Sequence, residues 1–453
     1  MFKKILIANR GEIAARIART CRRLGVATVG IHSEADASAL HTTAVDESHL
    51  VGPAAVKESY LNAAAILAVA KATGAEAIHP GYGLLSEKSH FARAVIEAGL
   101  VWIGPTPEAL DRLGDKMRSR HTALAAKVPP VPGADAPVET VEAAREVTAR
   151  IGYPALVKAV GGGGGIGMQI VKDDASLERA MKSCSDRAAQ AFGDARVYIE
   201  RYVERPRHIE VQIFGDLHGN VVALGERECS LQRRHQKIVE ESPAPAFQGE
   251  RGPSHRAAIL DAAVRIGRAA GYVGAGTCEF IWDQEREEFY FLETNCRIQV
   301  EHPVTEMVTG LDLVEWQLRV ALGEHLGEAL TAVRPSGHAI EARLYAEDPA
   351  KGFIPKPGDV NELTWPEGDG VRVDAGIAAP GKVTPYYDPM VAKIIAHAPT
   401  RAEAIAKLDA ALAKTHVAPL VHNLAFLHAV LVSPEFTAGR YDTSFAEVFA
   451  KRK

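Results

Sequence analysis

The sequence predicts an α/β protein assembled from several units. These are an N-terminal parallel-sheet, Rossmann-like domain, a small α+β lid, a base that faces the lid, and a C-terminal β-rich region with closing helices. Three observations carry this. Strands and helices alternate from Lys4 to Ile103, the pattern of a parallel sheet covered on both faces. Five consecutive glycines, then Ile166 and Gly167, sit between two short apolar strands. Finally, two further short strands, Thr277–Trp282 and Glu288–Leu292, flank a charged turn and carry acids where apolar residues are expected.

The first unit opens with strand Lys4–Ala8, followed by Asn9-Arg10-Gly11-Glu12. Ile13, Ile17, Cys21 and Leu24 recur at helical spacing, and Gly25 stops the helix. Strand Val26–His32 follows, then helix Ala63–Ala72, strand Ala75–Ile78, helix Ser86–Ala98 and strand Leu100–Ile103. A dinucleotide fingerprint is absent after the first strand, where Gly11 stands alone. His79-Pro80-Gly81-Tyr82-Gly83 is a loop at a strand's carboxyl end, where α/β sheets hold ligands. Gly114-Asp115-Lys116 opens a helix, and the proline-rich stretch 128–135 leads into the second unit. That unit reads as helix Glu142–Ile151, strands Ala155–Val160 and Met168–Lys172, a helix from Leu177 to about Phe192, and strand Val197–Val203.

From Glu204 onward, Arg207–Gly215 and Asn220–Glu226 read as neighbouring strands, and Pro253–Ala270 as a helix. The basic cluster 232–237 ends in Glu240-Glu241 and reads either as a solvated face or as an anion site built on Lys237. Helix Leu311–Leu322, strand His338–Ala346, a β region to about Ile395, and helices Arg401–Lys414 and Asn423–Leu431 complete the chain.

Composition excludes several function classes. A chain of 453 residues implies two to four subdomains. With 47% hydrophobic and 24% charged residues it has the balance of a soluble enzyme. A net charge of −5 argues against nucleic acid as a partner. Five scattered cysteines without a Cys-x-x-Cys pair argue against structural zinc and disulfides, and fit a reducing compartment. No apolar run reaches about 18 residues, so neither a membrane span nor a signal peptide is expected, and the expected location is the cytoplasm.

The chemistry concentrates in residues 276–306. A carboxylate in an apolar strand is costly to bury without a cation. Glu279 and Glu293 lie on strands that pair, and Asn295 follows two residues later. Oxygen ligands on rigid elements that leave room for phosphate and water suit Mg²⁺. Arg297 then offers a fixed cation for a small anion, and Glu301 a carboxylate able to take a proton. The glycine run exceeds what a turn needs and suggests a flap whose N–H groups close over phosphate oxygens. No Lys-Ser/Thr follows it, so it is not a Walker loop. Lys158 stands just before the flap, within reach of phosphates. Together these parts describe an ATP site clamped between lid and base.

Along essentially its whole length the chain resembles biotin carboxylase, a family of the ATP-grasp superfamily. The motifs, in family order, are Ile-Ala-Asn-Arg-Gly-Glu-Ile-Ala (7–14), His-Pro-Gly-Tyr-Gly (79–83), Gly-Asp-Lys (114–116), the glycine flap, Pro-Arg-His-Ile-Glu-Val-Gln (206–212), Gln-Arg-Arg-His-Gln-Lys (232–237), Arg-Ile-Gln-Val-Glu-His-Pro-Val-Thr-Glu (297–306) and Tyr-Tyr-Asp-Pro-Met (386–390). The resemblance implies an N-terminal biotin carboxylase domain (1–114), a linker helix (115–130), an ATP-grasp lid (131–203), an ATP-grasp base (204–330) and a C-terminal biotin carboxylase domain (331–453). It implies ATP contacts by Lys116, Lys158, Gly163, Gly164, Gly165, Gly167, Met168, Glu200, Tyr202, His208, His235 and Ile281. Mg²⁺ (or Mn²⁺) would be held by Glu279 and Glu293 with Asn295 close by. Bicarbonate and biotin would meet Lys237, Arg297, Gln299, Val300, Glu301 and Arg343, with Glu301 as base and Arg343 on the biotin ureido oxygen.

The implied reaction is bicarbonate- and ATP-dependent carboxylation of biotin N1′ on a separate biotin carboxyl carrier protein. A carboxyltransferase subunit would be a further partner, and the enzyme a homodimer serving an acyl-CoA carboxylase, such as the acetyl-CoA carboxylase of fatty acid biosynthesis. A urea-type carboxylase component, another ATP-grasp carboxylate–amine ligase and a catalytically dead nucleotide-binding subunit are the alternatives. Three departures from the family pattern stand out: Ile166 where Arg or Lys is usual in the flap, Cys296 for Thr, and His422 for Thr. Ala180-Met181-Lys182-Ser183 imitates a biotin attachment site but falls in a helical stretch, and Cys229 reads as structural. The chain stops at Lys453, which leaves no room for a carrier domain and implies biotin held by another protein.

Overall fold

The computed structural model describes residues 1–160, 167–234 and 236–452. The N-terminal alternation gives a five-stranded parallel sheet ordered Glu47–Gly52, Ala27–Ser33, Lys4–Ile7, Ala77–His79, Val101–Trp102. The order reverses between Lys4–Ile7 and Ala77–His79, so the loops beyond those two strands diverge and leave a crevice. Asn9 Nδ2 staples that crevice by donating to the Pro80 and Tyr82 carbonyls at 2.7 and 2.8 Å. Gly81 has φ +64°, and a Cβ there would stand 2.8 Å from Asn9 Nδ2, so the staple requires glycine.

The lid is a three-stranded antiparallel sheet, Met168–Val171, Ala155–Ala159 and Val197–Arg201, backed by helices Val141–Ile151 and Asp174–Phe192. It has its own small core around Val157, Leu177, Ala180 and Ile199. Gly163, Gly164, Gly165 and Ile166 of the flap, and His235, lie outside the described residues.

The base and the C-terminal region share one eight-stranded sheet. Its order is Glu288–Asn295, Gly274–Asp283, Arg207–Gly215, Val221–Arg233, Gln236–Ser242, His338–Tyr345, Met390–Ala398, Val371–Ala375. Every neighbouring pair is antiparallel. The N-terminal sheet is not separate from it, because Leu6, Val29 and Ile78 share an apolar core with Ile209, Val211, Ile213 and Phe280. Among the described residues no helix is long and apolar enough to cross a membrane.

Two expectations change here. The strand expected at Asn220–Glu226 runs on to Arg233 and turns straight into Gln236–Ser242. In the basic cluster Gln232 and Arg233 are therefore buried and Lys237 is half-buried, while Arg234 is exposed. The string after Asn295 also contains a helix, His302–Thr309, with Glu301 at its N-cap and Pro303 in its first turn.

Candidate active site

The site grows from the register of the sheet. Glu279 lies opposite Glu293 on one side and opposite Glu210 on the other, and Glu210 is opposite Arg227. Alternation places His208, two residues before Glu210, on the same face. A row of three acids and one arginine thus crosses four strands inside the protein. Arg227 is fully buried and donates to Glu210, Gln212, Thr277, Gln299 and Thr305.

Lys237 is the hub. Its Nζ stands 2.5 Å from Glu210, 2.8 Å from Glu279 and 2.7 Å from Glu301. On its far side Glu301 meets Arg343 at 3.0 Å, and Arg343 pairs with Glu240 at 2.5 Å. The strand neighbour Glu341 is not the partner of Arg343. Burial alone would raise the Glu301 carboxyl, but Lys237, Arg343 and Arg227 hold it well below the usual carboxylate range. Burial is overcome at Glu279 in the same way, by Lys237 and by His208, whose Nε2 is 3.0 Å away. Glu293 is pushed up by burial and then by Glu279 opposite, against Lys116 and Lys158. Cys229 is buried nearby, its thiol raised well above its ordinary range first by burial and then by Glu210.

These residues fit a divalent cation. His208, Glu210 and Glu279 bring ligand atoms within 4.8 Å of one another, as do Glu210, Cys229 and Glu301. Glu293 belongs to neither group, but it shares a register position with Glu279 and is destabilised as an ion by it. Hard carboxylate oxygens suit Mg²⁺, and the Lys237 ammonium supplies the positive charge these acids meet here. Asn295 bridges, donating to Glu279 at 2.8 Å and accepting from Arg297 at 3.2 Å.

A cavity of about 540 Å³ joins this cluster to the lid. Lys116, Lys158, Met168, Glu200, Tyr202, His208 and Ile281 all line it, as do Lys237, Glu279, Glu293, Asn295, Arg297, Gln299, Val300, Glu301 and Arg343. The sequence-predicted residues that can be described therefore converge on one space, apart from Gly167, which lies beside the lid residues Ala159 and Cys184. Lys158 Nζ pairs with Glu200 at 2.7 Å inside it. Burial would lower the Lys158 ammonium, but Glu200 and Tyr198 raise it, so it stays charged. Lys116 is lowered, mainly by burial and then by Lys158.

Around the anion-binding candidates, Gln299 donates to Glu279 at 3.1 Å, and the Val300 carbonyl accepts from the buried Lys393 at 2.9 Å. Sequence reasoning missed Glu210, Arg227, Glu240 and Thr443, and also Glu87, which accepts from Arg297 Nε at 3.2 Å. The spacing of Glu210 after His208 was a usable signal. Thr443 lines the cavity where His422 does not, and nothing local marks it.

With this geometry in place, the comparisons are direct. The family model "Biotin carboxylase, N-terminal domain" matches residues 1–110, "Carbamoyl-phosphate synthase L chain, ATP binding domain" 115–329, and "Biotin carboxylase C-terminal domain" 341–448. A biotin carboxylase of Halalkalibacterium halodurans is 50% identical over 453 residues, covering 100% of this chain and 99% of its own. The crystal structure of a biotin carboxylase complex with β,γ-ATP from Campylobacter jejuni superposes with TM-score 0.94 at 41% identity, covering 99% of both chains. The biotin carboxylase domain dimer of Hydrogenobacter thermophilus 2-oxoglutarate carboxylase, solved with MgADP, ADP and bicarbonate, gives 0.93 at 42%, covering 99% of this chain and 98% of that one.

Proposed function

The chain belongs to the biotin carboxylase family, and from that premise we propose how its residues share the reaction. The activity is that of an ATP-dependent ligase: biotin is carboxylated at the expense of ATP with bicarbonate as carbon source. Lys116 and Lys158 bind the phosphates, which requires Lys158 to leave Glu200, and Glu200, freed, turns to the adenine beside Tyr202, Met168 and Ile281. Glu279 and Glu293 would hold Mg²⁺, with Asn295 close by; when bound, the ion offsets charge on the transferring phosphoryl group.

Arg297 and Lys237 take bicarbonate, with Gln299 and Val300 beside it. Glu301 removes its proton as a bicarbonate oxygen attacks the γ-phosphorus and ADP leaves. Lys237, Arg343 and Arg227 hold the Glu301 carboxyl well below the usual carboxylate range. It gains basicity when Lys237 turns to the incoming anion. Carboxyphosphate then breaks to CO₂ and phosphate, phosphate takes the biotin N1′ proton, and Arg343 stabilises the ureido oxyanion while N1′ attacks CO₂.

The observation that carries this division is the bridge of Lys237 between Glu279 on the metal side and Glu301 on the bicarbonate side. It supports one continuous site for both halves of the chemistry. The experiment is phosphate release from ATP, with and without bicarbonate and free biotin. Release should require bicarbonate and rise with biotin; bicarbonate-independent turnover would overturn the reading. For the physiological setting we propose biotin on a separate carrier protein, a carboxyltransferase consuming the product, an acyl-CoA acceptor and a homodimer in the cytoplasm.

A further inference from the structure

We propose that Glu87 is the positioning residue for Arg297, and that it sets the affinity of the site for bicarbonate. The inference rests on the reading of Arg297 as the bicarbonate-binding cation.

Glu87 comes from the N-terminal unit, in the loop between strand Ala77–His79 and helix Ser89–Glu97. It lies outside the residues lining the cavity, behind Arg297. One carboxylate oxygen accepts the Cys296 N–H at 2.8 Å and the other accepts Arg297 Nε–H at 3.2 Å. A single side chain thus grips the backbone and the side chain of adjacent residues, which fixes both the loop and the guanidinium it carries. Two of the other four Arg297 N–H groups are placed as well, one on Asn295 Oδ1 at 3.2 Å and one on the Ile298 carbonyl at 3.3 Å.

The support behind Glu87 is rigid. Leu85 and Ser86 are buried, the Ser86 N–H donates to Gly83 at 2.9 Å, and the Lys88 N–H donates to Leu85 at 3.1 Å. The loop leaves the carboxyl end of a strand at the sheet's switch point, where this type of sheet presents functional groups.

Charge gives the clamp its purpose. Glu87 is the carboxylate in contact with the Arg297 guanidinium, at 3.2 Å, while Glu301 and Glu279 lie in the site itself. Without Glu87 the guanidinium would lose the carboxylate it contacts and be drawn toward Glu301 and Glu279 inside the site. It would then neutralise the proposed base and a proposed metal ligand instead of presenting its N–H groups to the anion. Glu87 holds Arg297 from behind so that its charge remains available in front.

The test compares Glu87→Ala, Glu87→Gln and Arg297→Ala by steady-state phosphate release, varying bicarbonate and ATP separately, with melting temperature alongside. Glu87→Ala should raise the KM for bicarbonate roughly tenfold or more, the scale of a lost hydrogen bond to a charged group. The KM for ATP should stay within about twofold. Glu87→Gln keeps one acceptor oxygen and should fall between wild type and Glu87→Ala. Equal rises in both KM values, or no rise for bicarbonate, would overturn the inference, and if the alanine variant does not fold the glutamine variant decides by the same criterion. An Arg297→Ala variant with unchanged bicarbonate KM would overturn the Arg297 reading and this inference together. A normal bicarbonate KM in the Glu87 variants beside a raised one in Arg297→Ala would overturn this inference alone.

Discussion

Two groups of buried acids lie on and against one sheet and behave oppositely. Glu279 and Glu301 are held well below the usual carboxylate range, whereas burial pushes Glu240 up to about 7 and Glu341 well above its ordinary value. All four are buried, and Glu240 is only three residues from Lys237 on the same strand. Burial raises every one of them, so it cannot explain the difference. The polar and charged groups set around each carboxyl do. Glu301 touches Lys237 and Arg343, and Glu279 touches Lys237 and His208. Glu240 has Arg343 and, more weakly, Lys237, with Glu301 opposing them. Glu341 faces Glu240 directly across the strand pair, and Lys393 and Arg343 do not outweigh its burial. Acids held low and acids pushed up thus lie side by side according to where the lysines and arginines among them are placed.

Removing the shared cation should break this contrast most strongly. Lys237→Met leaves Glu210, Glu279 and Glu301 without it. Bicarbonate-dependent phosphate release should fall by about 10²-fold or more, and the protein should lose about 3–5 kcal/mol of stability at neutral pH. Glu279 and Glu301, which Lys237 now holds low, would then titrate higher, so the deficit should shrink as pH falls. Denaturant melts at pH 8 and pH 5.5 check this, and a deficit independent of pH would refute the charge argument.

Next in size is Glu301→Gln, which keeps the shape and removes the base. Bicarbonate-dependent turnover should drop by about 10²–10⁴-fold. ATP binding, followed by nucleotide protection against thermal unfolding, should persist. Loss of protection would make Glu301 a binding residue.

Arg343→Ser sharpens the boundary between the clusters, since Arg343 touches both Glu301 and Glu240. Carboxybiotin formation should fall by about 10²-fold while phosphate release falls much less. Equal losses in both rates would indicate a structural arginine.

The smallest effect belongs to Glu341→Gln. A buried acid with a raised pKa contributes stability that is complete below its unfolded value near 4.5 and is lost as pH rises toward the folded value. Glutamine carries no such dependence. The variant should therefore match wild type within about 1 kcal/mol at pH 5 and gain on it as pH rises to 8, with turnover within about twofold. A variant that falls behind wild type with rising pH would show that Glu341 is ionised.

The carboxylate hairpin was legible because period-two alternation made Glu279 and Glu293 conspicuous among apolar neighbours, and the strand register then set them opposite each other. Arg207–Gly215 and Arg401–Lys414 were readable to the residue, since the first alternates cleanly and the second opens with a Thr400–Glu403 capping box. The helix His302–Thr309 was hidden because it spans little more than two turns beside a functional motif. Glu87 and Thr443 were invisible for a different reason. Glu87 meets Cys296 and Arg297, and Thr443 meets the Pro206 carbonyl, all far along the chain, and no local pattern encodes contacts of that range. The pairing of Lys158 with Glu200 was equally unreadable, because two ligand-binding residues satisfy each other only once the strands have paired.

The continuous sheet has a consequence for how the chain can be divided. Strand Gln236–Ser242 pairs with His338–Tyr345 through Val239–Ala342, Glu240–Glu341, Glu241–Ile340 and Ser242–Ala339. That seam crosses the stretch between the second and third family matches, 330–340. A fragment ending there would expose a bare strand edge bearing two buried acids, Glu240 and Glu241, together with unpaired N–H and C=O groups, a template for self-association. The complementary fragment would expose the matching edge. Produced together, the two halves should find each other by strand pairing, and Arg343 would reach Glu301 only after that pairing forms. Turnover in such a split protein would thus report reassembly of the sheet itself.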